Sequence, residues 1–375
     1  MRPRLKRAGL ALAFAALSLG IPLILVETGL RLFAPQTLAL NVSEWDPNYG
    51  WRNRPGARGF FQTPEFRFEI KVNSLGHRGG ETSRAKPPRT FRILGLGDSF
   101  ALGHGVDGDS CFLAVAEREL KRRAAAGGGR RVEVLNAGVG KWGTAQEYLY
   151  LTREGLGLEP DLVLLAFCVD NDFENNRETS VLRLEGDQLV PVASPEPTVR
   201  AVQRITRSLP GYEFLTAHSH LVNFLRVHAT VLNDRAHAAD GEPMVGDPDP
   251  DPARDLTTSL AITTRIMDAL AEATRRAGVP LAILFVPSFA QSDPERWAAY
   301  HPIQDMRPKE AAVAELSAHL DSLGVSVLDP LPHLREVSRT QLLYLPLDIH
   351  LNAAGSQVLG QWLADRLTGE RLVSF

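Results

Sequence analysis

Short apolar runs alternate with amphipathic segments from residue 91 to the end of the chain. Each run has the length of a strand, and the runs cover 91–96, 132–136, 161–168, 280–286 and 325–329. The segments between and after them repeat apolar residues at helical spacing, over 109–126, 144–153, 258–277, 309–323 and 353–367. The third run is as dense in Leu and Val as a fully buried parallel strand. This alternation predicts an α/β fold, a doubly wound (flavodoxin-like) parallel sheet of five strands with helices on both faces.

Two stretches break the alternation. Residues 36–88 are rich in Gly, Pro, Arg and aromatic residues, and 66–72 alternates apolar with polar positions as a half-buried strand does. Residues 172–257 read as an insertion after the third strand, and ligands of such sheets bind at the carboxyl ends of the strands. The insertion is therefore a candidate lid. We divide the chain into an N-terminal part (1–35), a small β-rich segment (36–88) and an α/β domain (89–375) that contains the insertion.

The N-terminal part is first basic and then uncharged. Arg2, Arg4, Lys6 and Arg7 precede residues 8–26, an apolar stretch long enough to cross a bilayer as a helix. A cleaved signal peptide is the alternative, but its apolar region is normally shorter and ends at a small-residue cleavage site, which is not evident here. The positive flank predicts a cytoplasmic N-terminus. We expect a single-pass anchor in the cell membrane, with the remainder of the chain periplasmic or extracellular.

Composition narrows the classes of partner. The 375 residues carry a formal charge of −3, which offers no basic footprint for nucleic acid. The chain has no CxxC pair and no HExxH motif, so the sequence supports no metal site, and it indicates no other cofactor. It gives no indication of a protein partner.

Candidate nucleophilic chemistry lies at the two ends of the α/β domain. Gly97-Asp98-Ser99 directly follows the first predicted strand, and Asp348 and His350 come shortly before the last helix. A serine hydroxyl needs an adjacent base, and an imidazole titrates close to neutral pH. A carboxylate two residues before the histidine can orient the ring. Asp329, at the end of the fifth strand, is the alternative orienting acid.

Two further loops offer donors for an oxyanion. Residues 136–144 form a glycine-rich loop after the second strand, and its backbone amides can approach a substrate closely. Asn171 follows the third strand and can direct its side-chain amide inward. Acyl transfer needs such donors, because negative charge develops on the carbonyl oxygen in the transition state.

These four segments, in this order and each at a strand end, resemble the SGNH hydrolases, also called the GDSL esterase/lipase superfamily. The resemblance covers roughly residues 90–370. It implies Ser99 as nucleophile, His350 as base with Asp348 as its acid, and Asn171 as side-chain oxyanion donor. It also implies a backbone donor in the glycine-rich loop.

Two departures from the family pattern matter. The usual Asp-x-x-His block is Asp348-x-His350 here, a spacing similar to that of alginate O-acetyltransferase-like proteins and other membrane-anchored envelope members. The position of the donating glycine aligns best with Lys141, whose backbone is more restricted than that of glycine. Gly140 or Gly138 are the alternatives.

The expected function is that of a membrane-anchored serine esterase. It would act through an acyl-enzyme on O-acyl or O-acetyl groups of a polysaccharide or of a small-molecule envelope substrate, without a cofactor. An O-acetyltransferase shares the acyl-enzyme step and remains an alternative. A non-catalytic glycan-binding or scaffold protein that keeps the fold is the second alternative, and Lys141 is the feature that favours it.

Overall fold

A computed structural model of the protein describes residues 2–127, 129–179, 181–186, 188–193, 209–239 and 252–374. The chain divides into two compact units, each of which is described by itself below. The smaller unit comprises residues 1–40, 61–66 and 199–247. The larger unit comprises residues 41–60, 67–198 and 248–375.

The helices and strands are numbered in chain order over the described residues. The strands are β1 (Leu38–Leu40), β2 (Ser43–Asp46), β3 (Gly50–Asn53), β4 (Arg58–Gln62), β5 (Arg67–Lys71), β6 (Thr90–Gly97), β7 (Arg131–Asn136), β8 (Leu162–Cys168), β9 (Leu182–Glu185), β10 (Gln188–Pro191), β11 (Leu281–Val286) and β12 (Ser326–Leu328). The helices are α1 (Arg2–Phe33), α2 (Ser99–Leu102), α3 (Phe112–Gly127), α4 (Thr144–Tyr150), α5 (Asp172–Arg177), α6 (Tyr212–His218), α7 (His220–Ala239), α8 (Pro252–Ala277), α9 (Phe289–Ser292), α10 (Pro294–Tyr300), α11 (Arg307–Ser322), α12 (Leu331–Ser338) and α13 (Ala353–Gly369).

A five-stranded parallel sheet forms the centre of the larger unit, in the order β12-β11-β8-β6-β7. Its middle strands are buried along their whole length, because helices cover both faces. Ile93 packs with α3 and α13 on one face, and Leu94 packs with α8 and α11 on the other. The predicted α/β fold with a five-stranded parallel sheet is therefore confirmed.

The register of the sheet brings three strand ends to one edge. Gly97 of β6 is opposite Ala166 of β8, and Gly95 is opposite Asn136 at the end of β7. Each loop that follows these ends carries one of the predicted site segments. Residues distant in sequence therefore meet at the carboxyl edge, as parallel topology requires.

Helix boundaries differ from the prediction at identifiable residues. The segment predicted as one helix over 109–126 begins as a 3₁₀ turn (Gly108–Ser110) and restarts as α3, because Cys111 between them has an extended ψ of 148°. The helix predicted over 144–153 consists of α4 followed directly by a π-helical turn (Leu151–Gly155). The helix predicted from 258 starts earlier, at Pro252, and proline is tolerated in a first helical turn.

The β-rich segment contains β1–β5, with β2 and β3 paired antiparallel. The Trp142 indole donates to the Trp51 carbonyl at 2.5 Å, and the Asn53 side chain donates to the Gly138 carbonyl at 3.0 Å. These two bonds fix β3 against the loop that follows β7. The insertion contains an antiparallel hairpin, the pair β9–β10. The division into three parts and the lid role of the insertion stay predictions, and residues 194–208 and 240–251 of it lie outside the described residues.

A helix-capping cluster organises the smaller unit. The Glu27 carboxylate of α1 accepts hydrogen bonds from the Ser219 hydroxyl (2.9 Å) and from the amides of His220 (3.0 Å) and Leu221 (2.8 Å). Ser219 is extended, so it separates α6 from α7. The carboxylate satisfies donors in the first turn of α7 that have no intrahelical acceptor.

The stretch predicted as a membrane anchor, residues 8–26, lies within α1. Over the part of the chain that the structure describes, no helix meets the length and apolarity required of a membrane span. The transmembrane part of the fold prediction is thus not supported here.

Candidate active site

A tight turn at the end of β6 presents the predicted nucleophile. Gly97 has φ +152°, and a Cβ at that position would lie 2.6 Å from the Ala101 Cβ, so only glycine fits. Asp98 caps α2 by accepting the Phe100 amide at 2.8 Å. Ser99 is the first residue of α2, and its side chain is partly exposed at the sheet edge.

The structure brings the predicted triad together from opposite ends of the domain. Ser99 Oγ lies 2.8 Å from His350 Nε2, although the two residues are 251 positions apart. His350 Nδ1 lies 2.6 Å from Asp348 Oδ1. These contacts fit a neutral imidazole that donates from Nδ1 to the carboxylate and accepts from the serine hydroxyl at Nε2. Asp329, the alternative acid, instead accepts the Leu331 amide at 2.9 Å in the first turn of α12.

An unusual backbone conformation makes the short Asp-x-His spacing possible. Ile349 has φ +73°, which is rare for a β-branched residue. The Ile349 amide donates to the Leu345 carbonyl at 2.9 Å, and the Leu345 amide donates to the His350 carbonyl at 2.8 Å. This closed loop lets Asp348 and His350 face each other with one residue between them. Backbone strain of this kind concentrates at functional sites.

Two histidines determine the ionisation of Asp348. Burial alone would raise the pKa of this carboxyl, but hydrogen bonding and charge interactions with His104 and His350 lower the pKa to well below its ordinary value. Asp348 is therefore a carboxylate throughout the neutral range. It can stabilise positive charge on His350.

Asn171 is held at the edge of the site from two sides. Its side-chain amide donates to Asp98 Oδ2 at 3.2 Å. The Lys309 ammonium donates to the Asp170 carbonyl and forms an ion pair with Glu174 at 3.0 Å. Both contacts fix the short loop between β8 and α5 that carries Asn171.

Two of the three candidate backbone donors in the glycine-rich loop remain possible. The Gly138 amide donates to the Asn136 side chain at 3.0 Å, so it already has an acceptor. Lys141 has φ +72°, the left-handed conformation that glycine adopts most readily. Its ammonium lies 5.9 Å from the centre of the Trp51 ring. Gly140 and Lys141 remain as backbone candidates.

Buried acidic side chains adjoin the candidate site. Asp98, Glu147 and Asp172 are almost fully buried. Burial raises the pKa of all three carboxyls; Asp98 adds to the effect on Glu147, and Glu147 and Asp98 add to the effect on Asp172. Both carboxyl oxygens of Glu147 lack a hydrogen-bond partner. Glu147 is consequently favoured in its neutral form.

Sequence reasoning gave no role to His104, which the structure places next to the triad. Its Nε2 lies 3.6 Å from Asp348 Oδ2, and its ring centre lies 4.6 Å from that of His350. The proximity of His104 to Ser99 in sequence was the available signal. Phe100 packs on the other histidine, with its ring centre 4.6 Å from that of His350.

Among the described residues, His104, Asp348 and His350 form a group whose potential metal-binding atoms lie within 4.8 Å of one another. We assign Asp348 and His350 to the triad, because the Asp348–His350 and His350–Ser99 hydrogen bonds already engage both ring nitrogens of His350 and one carboxylate oxygen of Asp348.

A cavity of about 800 Å³ lies beside the site, between β5 and the start of α3. Its walls include Phe68, Arg78 and Asp107 but none of the triad residues. Phe68 links the two places, since its ring packs edge-on against His104 with 5.0 Å between ring centres.

A serine, a histidine and an aspartate in this geometry, at the carboxyl edge of a parallel sheet, define a serine hydrolase site. The chain belongs to the GDSL-like Lipase/Acylhydrolase family, whose sequence profile matches residues 96–358. It is a serine ester hydrolase of the SGNH/GDSL type.

Solved structures of low sequence identity are similar to the chain. An acetyl xylan esterase, AlAXEase, is 10% identical with a TM-score of 0.41, over 73% of this chain and 98% of that one. A lipase/acylhydrolase from Enterococcus faecalis is 15% identical with a TM-score of 0.40, over 75% and 96%. LAE5, an alpha/beta hydrolase enzyme from the metagenome of Lake Arreo, Spain, is 15% identical with a TM-score of 0.41, over 76% and 97%. A search of curated proteins gives no match.

Proposed function

We propose that the protein is a serine esterase that removes O-acyl groups, most simply acetyl, from a carbohydrate or another substrate of the cell envelope. The observation that carries the catalytic part is the series of contacts from Ser99 through His350 to Asp348, at 2.8 and 2.6 Å. In this arrangement the imidazole can accept the serine proton while a carboxylate holds its other nitrogen.

The reaction begins when Ser99 Oγ attacks the ester carbonyl carbon and His350 Nε2 takes the hydroxyl proton. Asp348 stabilises the resulting imidazolium. Collapse of the tetrahedral intermediate breaks the bond to the alcohol oxygen, which receives the proton from His350. The acyl group remains on Ser99 until a water, deprotonated by the same histidine, attacks it and releases the carboxylic acid.

The oxyanion of the tetrahedral intermediate accepts hydrogen bonds from the Ser99 amide, from the Gly140 or Lys141 amide, and from Asn171. A side-chain amide carries two N–H groups. One of those of Asn171 donates to Asp98, which fixes the group, and the proposal assigns the other to the oxyanion. Fixed donors of this kind need no reorganisation when charge develops.

The substrate class rests on the sequence. The Asp348-x-His350 spacing is similar to that of alginate O-acetyltransferase-like proteins, and it favours a second candidate function, an O-acetyltransferase. In that case a sugar hydroxyl, rather than water, attacks the acyl-enzyme. An assay that measures both free acetate and acetylated acceptor distinguishes the two.

We also propose that α1 anchors the protein in the cell membrane, with the catalytic domain on the outer side. Four basic residues precede the uncharged stretch 8–26. Apolar side chains of α1 such as Leu10, Phe14 and Leu17 are 60–74% exposed. Retention in membranes after an alkaline carbonate wash, together with protease access to the catalytic domain in intact cells or spheroplasts, tests this proposal. Release by carbonate would contradict it.

The catalytic proposal is tested with a fluorophosphonate probe and 4-nitrophenyl acetate. We expect labelling of the wild-type protein, no labelling of Ser99→Ala, and loss of turnover in both Ser99→Ala and His350→Ala. Equal labelling of wild type and Ser99→Ala would refute the assignment of the nucleophile. A folded wild-type protein without labelling or turnover would favour a non-catalytic glycan-binding role.

A further inference from the structure

His104 lies in a loop whose shape depends on its two neighbours. Gly103 and Gly105 both have positive φ, +81° and +88°, and a Cβ on Gly105 would lie 2.4 Å from the Leu345 side chain. The His104 amide donates to the Ser99 carbonyl at 2.9 Å. The loop therefore turns back immediately after the nucleophile and places the His104 ring beside the triad.

Arg78 holds this loop from the side of the β-rich segment. Arg78 is 5% exposed, and its guanidinium donates to the carbonyls of Leu102, Gly103 and Val106, each at 2.5 Å. A rigid guanidinium that binds three carbonyls restricts the loop on both sides of His104. The position of the His104 ring is thus fixed by the backbone and not only by side-chain packing.

The His104 ring faces the carboxylate oxygen that His350 does not use. Nε2 of His104 is 3.6 Å from Asp348 Oδ2, whereas His350 Nδ1 bonds to Oδ1. The separation is slightly longer than a hydrogen bond. Hydrogen bonds of catalytic groups are often long in unliganded enzymes and tighten in the transition state.

We propose that His104 is a positioning residue for the acyl-transfer reaction, whose Nε2–H donates to Asp348 Oδ2 and holds the carboxylate so that Oδ1 faces His350. This inference rests on the proposed function and adds a fourth side chain to the triad. Because a carboxylate only accepts hydrogen bonds, the neutral tautomer that suits this contact carries its proton on Nε2.

The surroundings of His104 favour its neutral form. The charged and titratable groups that face it are Asp348, His350 and Arg78. Burial, together with His350 and Arg78, lowers the pKa of His104 below its ordinary value, against the opposing effect of Asp348. A neutral donor orients the carboxylate without placing a second positive charge beside the imidazolium that forms on His350.

Two substitutions separate hydrogen bonding from packing. His104→Phe keeps a planar ring between Phe68 and His350 but removes the donor. His104→Gln keeps an N–H donor but removes the ring. With 4-nitrophenyl acetate we expect kcat of the Phe variant to fall about tenfold, the usual effect of losing one hydrogen bond to a charged group, at unchanged KM. We expect the Gln variant to keep most of kcat.

The pH profile gives an independent readout. Without the second donor, the Asp348 carboxylate is no longer held with Oδ1 towards His350 and stabilises the His350 imidazolium less, so the acidic limb of kcat/KM should move to lower pH in His104→Phe and stay in place in His104→Gln. If His104 serves only as a packed ring, the Phe variant should be more active than the Gln variant, and the acidic limb should not move in His104→Phe. Either of those results would overturn the inference.

The proposed function itself is monitored in the same experiment. Fluorophosphonate labelling of Ser99 in the wild-type protein must be present for the comparison. Absence of labelling refutes the esterase proposal, whereas intact labelling with equal kcat and pH profile in wild type and His104→Phe refutes only the role of His104. Circular dichroism of both variants identifies any loss of folding. If the Phe variant does not fold, the kcat and pH profile of the Gln variant test the role of His104.

Discussion

The backbone conformation of Lys141 predicts that glycine is more stabilising than alanine at this position, the reverse of the usual order. Lys141 has φ +72° and is exposed. We consider two variants, Lys141→Ala and Lys141→Gly. Both remove the ammonium that lies 5.9 Å from the Trp51 ring centre, so this interaction cancels in the comparison.

The expected difference follows from two opposing effects. A non-glycine residue in the left-handed conformation costs roughly 1–2 kcal/mol. Glycine in place of alanine costs roughly 0.4–1 kcal/mol through the greater freedom of the unfolded chain. The first effect is larger, so Lys141→Gly should be more stable than Lys141→Ala by about 1 kcal/mol in the free energy of unfolding. Urea denaturation followed by fluorescence measures this difference.

A matched pair at Lys121 provides the control. This residue lies in α3, where Ala should exceed Gly in stability by about 1 kcal/mol. The sign of the Ala–Gly difference should therefore be opposite at positions 121 and 141. If Lys141→Ala equals or exceeds Lys141→Gly, the left-handed conformation is absent in solution. Both variants at 141 keep the backbone amide, so we expect their kcat to stay within a few-fold of wild type.

Three further variants test the electrostatics of the site. Asp348→Asn should lower kcat by about 10²–10³-fold at constant KM. A charge pair near 4 Å is worth about 4 kcal/mol at an effective dielectric constant of 20, and partial exposure of the pair reduces this energy. A decrease in kcat of less than tenfold would argue against Asp348 as the triad acid. Asn171→Ala should lower kcat by about 10²-fold, the usual effect of losing one oxyanion donor, and an effect on KM alone would contradict that role. The raised pKa of Glu147 stabilises the fold below the unfolded-state pKa, and this contribution is lost as pH rises through the folded-state pKa. Glu147→Gln should therefore have a higher Tm than wild type, by a margin that grows from pH 5 to pH 8 in thermal-shift assays. A margin that stays constant over this range would show that Glu147 is ionised in the folded protein.

The central sheet was predictable because buried parallel strands leave a strong signal. The runs at 91–96 and 161–168 correspond closely to β6 (Thr90–Gly97) and β8 (Leu162–Cys168). The sequence also indicated which side chains meet, because the topology places Ser99 and the loop before α13 at one edge. What it could not indicate is a conformation determined by long-range contacts.

Three features illustrate this limit. The separation of α6 from α7 depends on a carboxylate almost two hundred residues away, Glu27. The role of Arg78 depends on carbonyl groups that converge only after the loop has folded. No pattern in the sequence marks Glu147 as buried, and only the packing of its helix shows that it is.

The contacts of Glu27 have a practical consequence for shortening the chain at its N-terminal helix. Deleting the whole N-terminal helix would remove its exposed apolar side chains and also the acceptor for the Ser219 hydroxyl and the first amides of the following helix. Loss of such a cap costs roughly 0.5–2 kcal/mol. A truncation that starts shortly before Glu27 removes most of the apolar stretch and retains the acceptor, so it is the better starting point for crystallisation and enzyme assays.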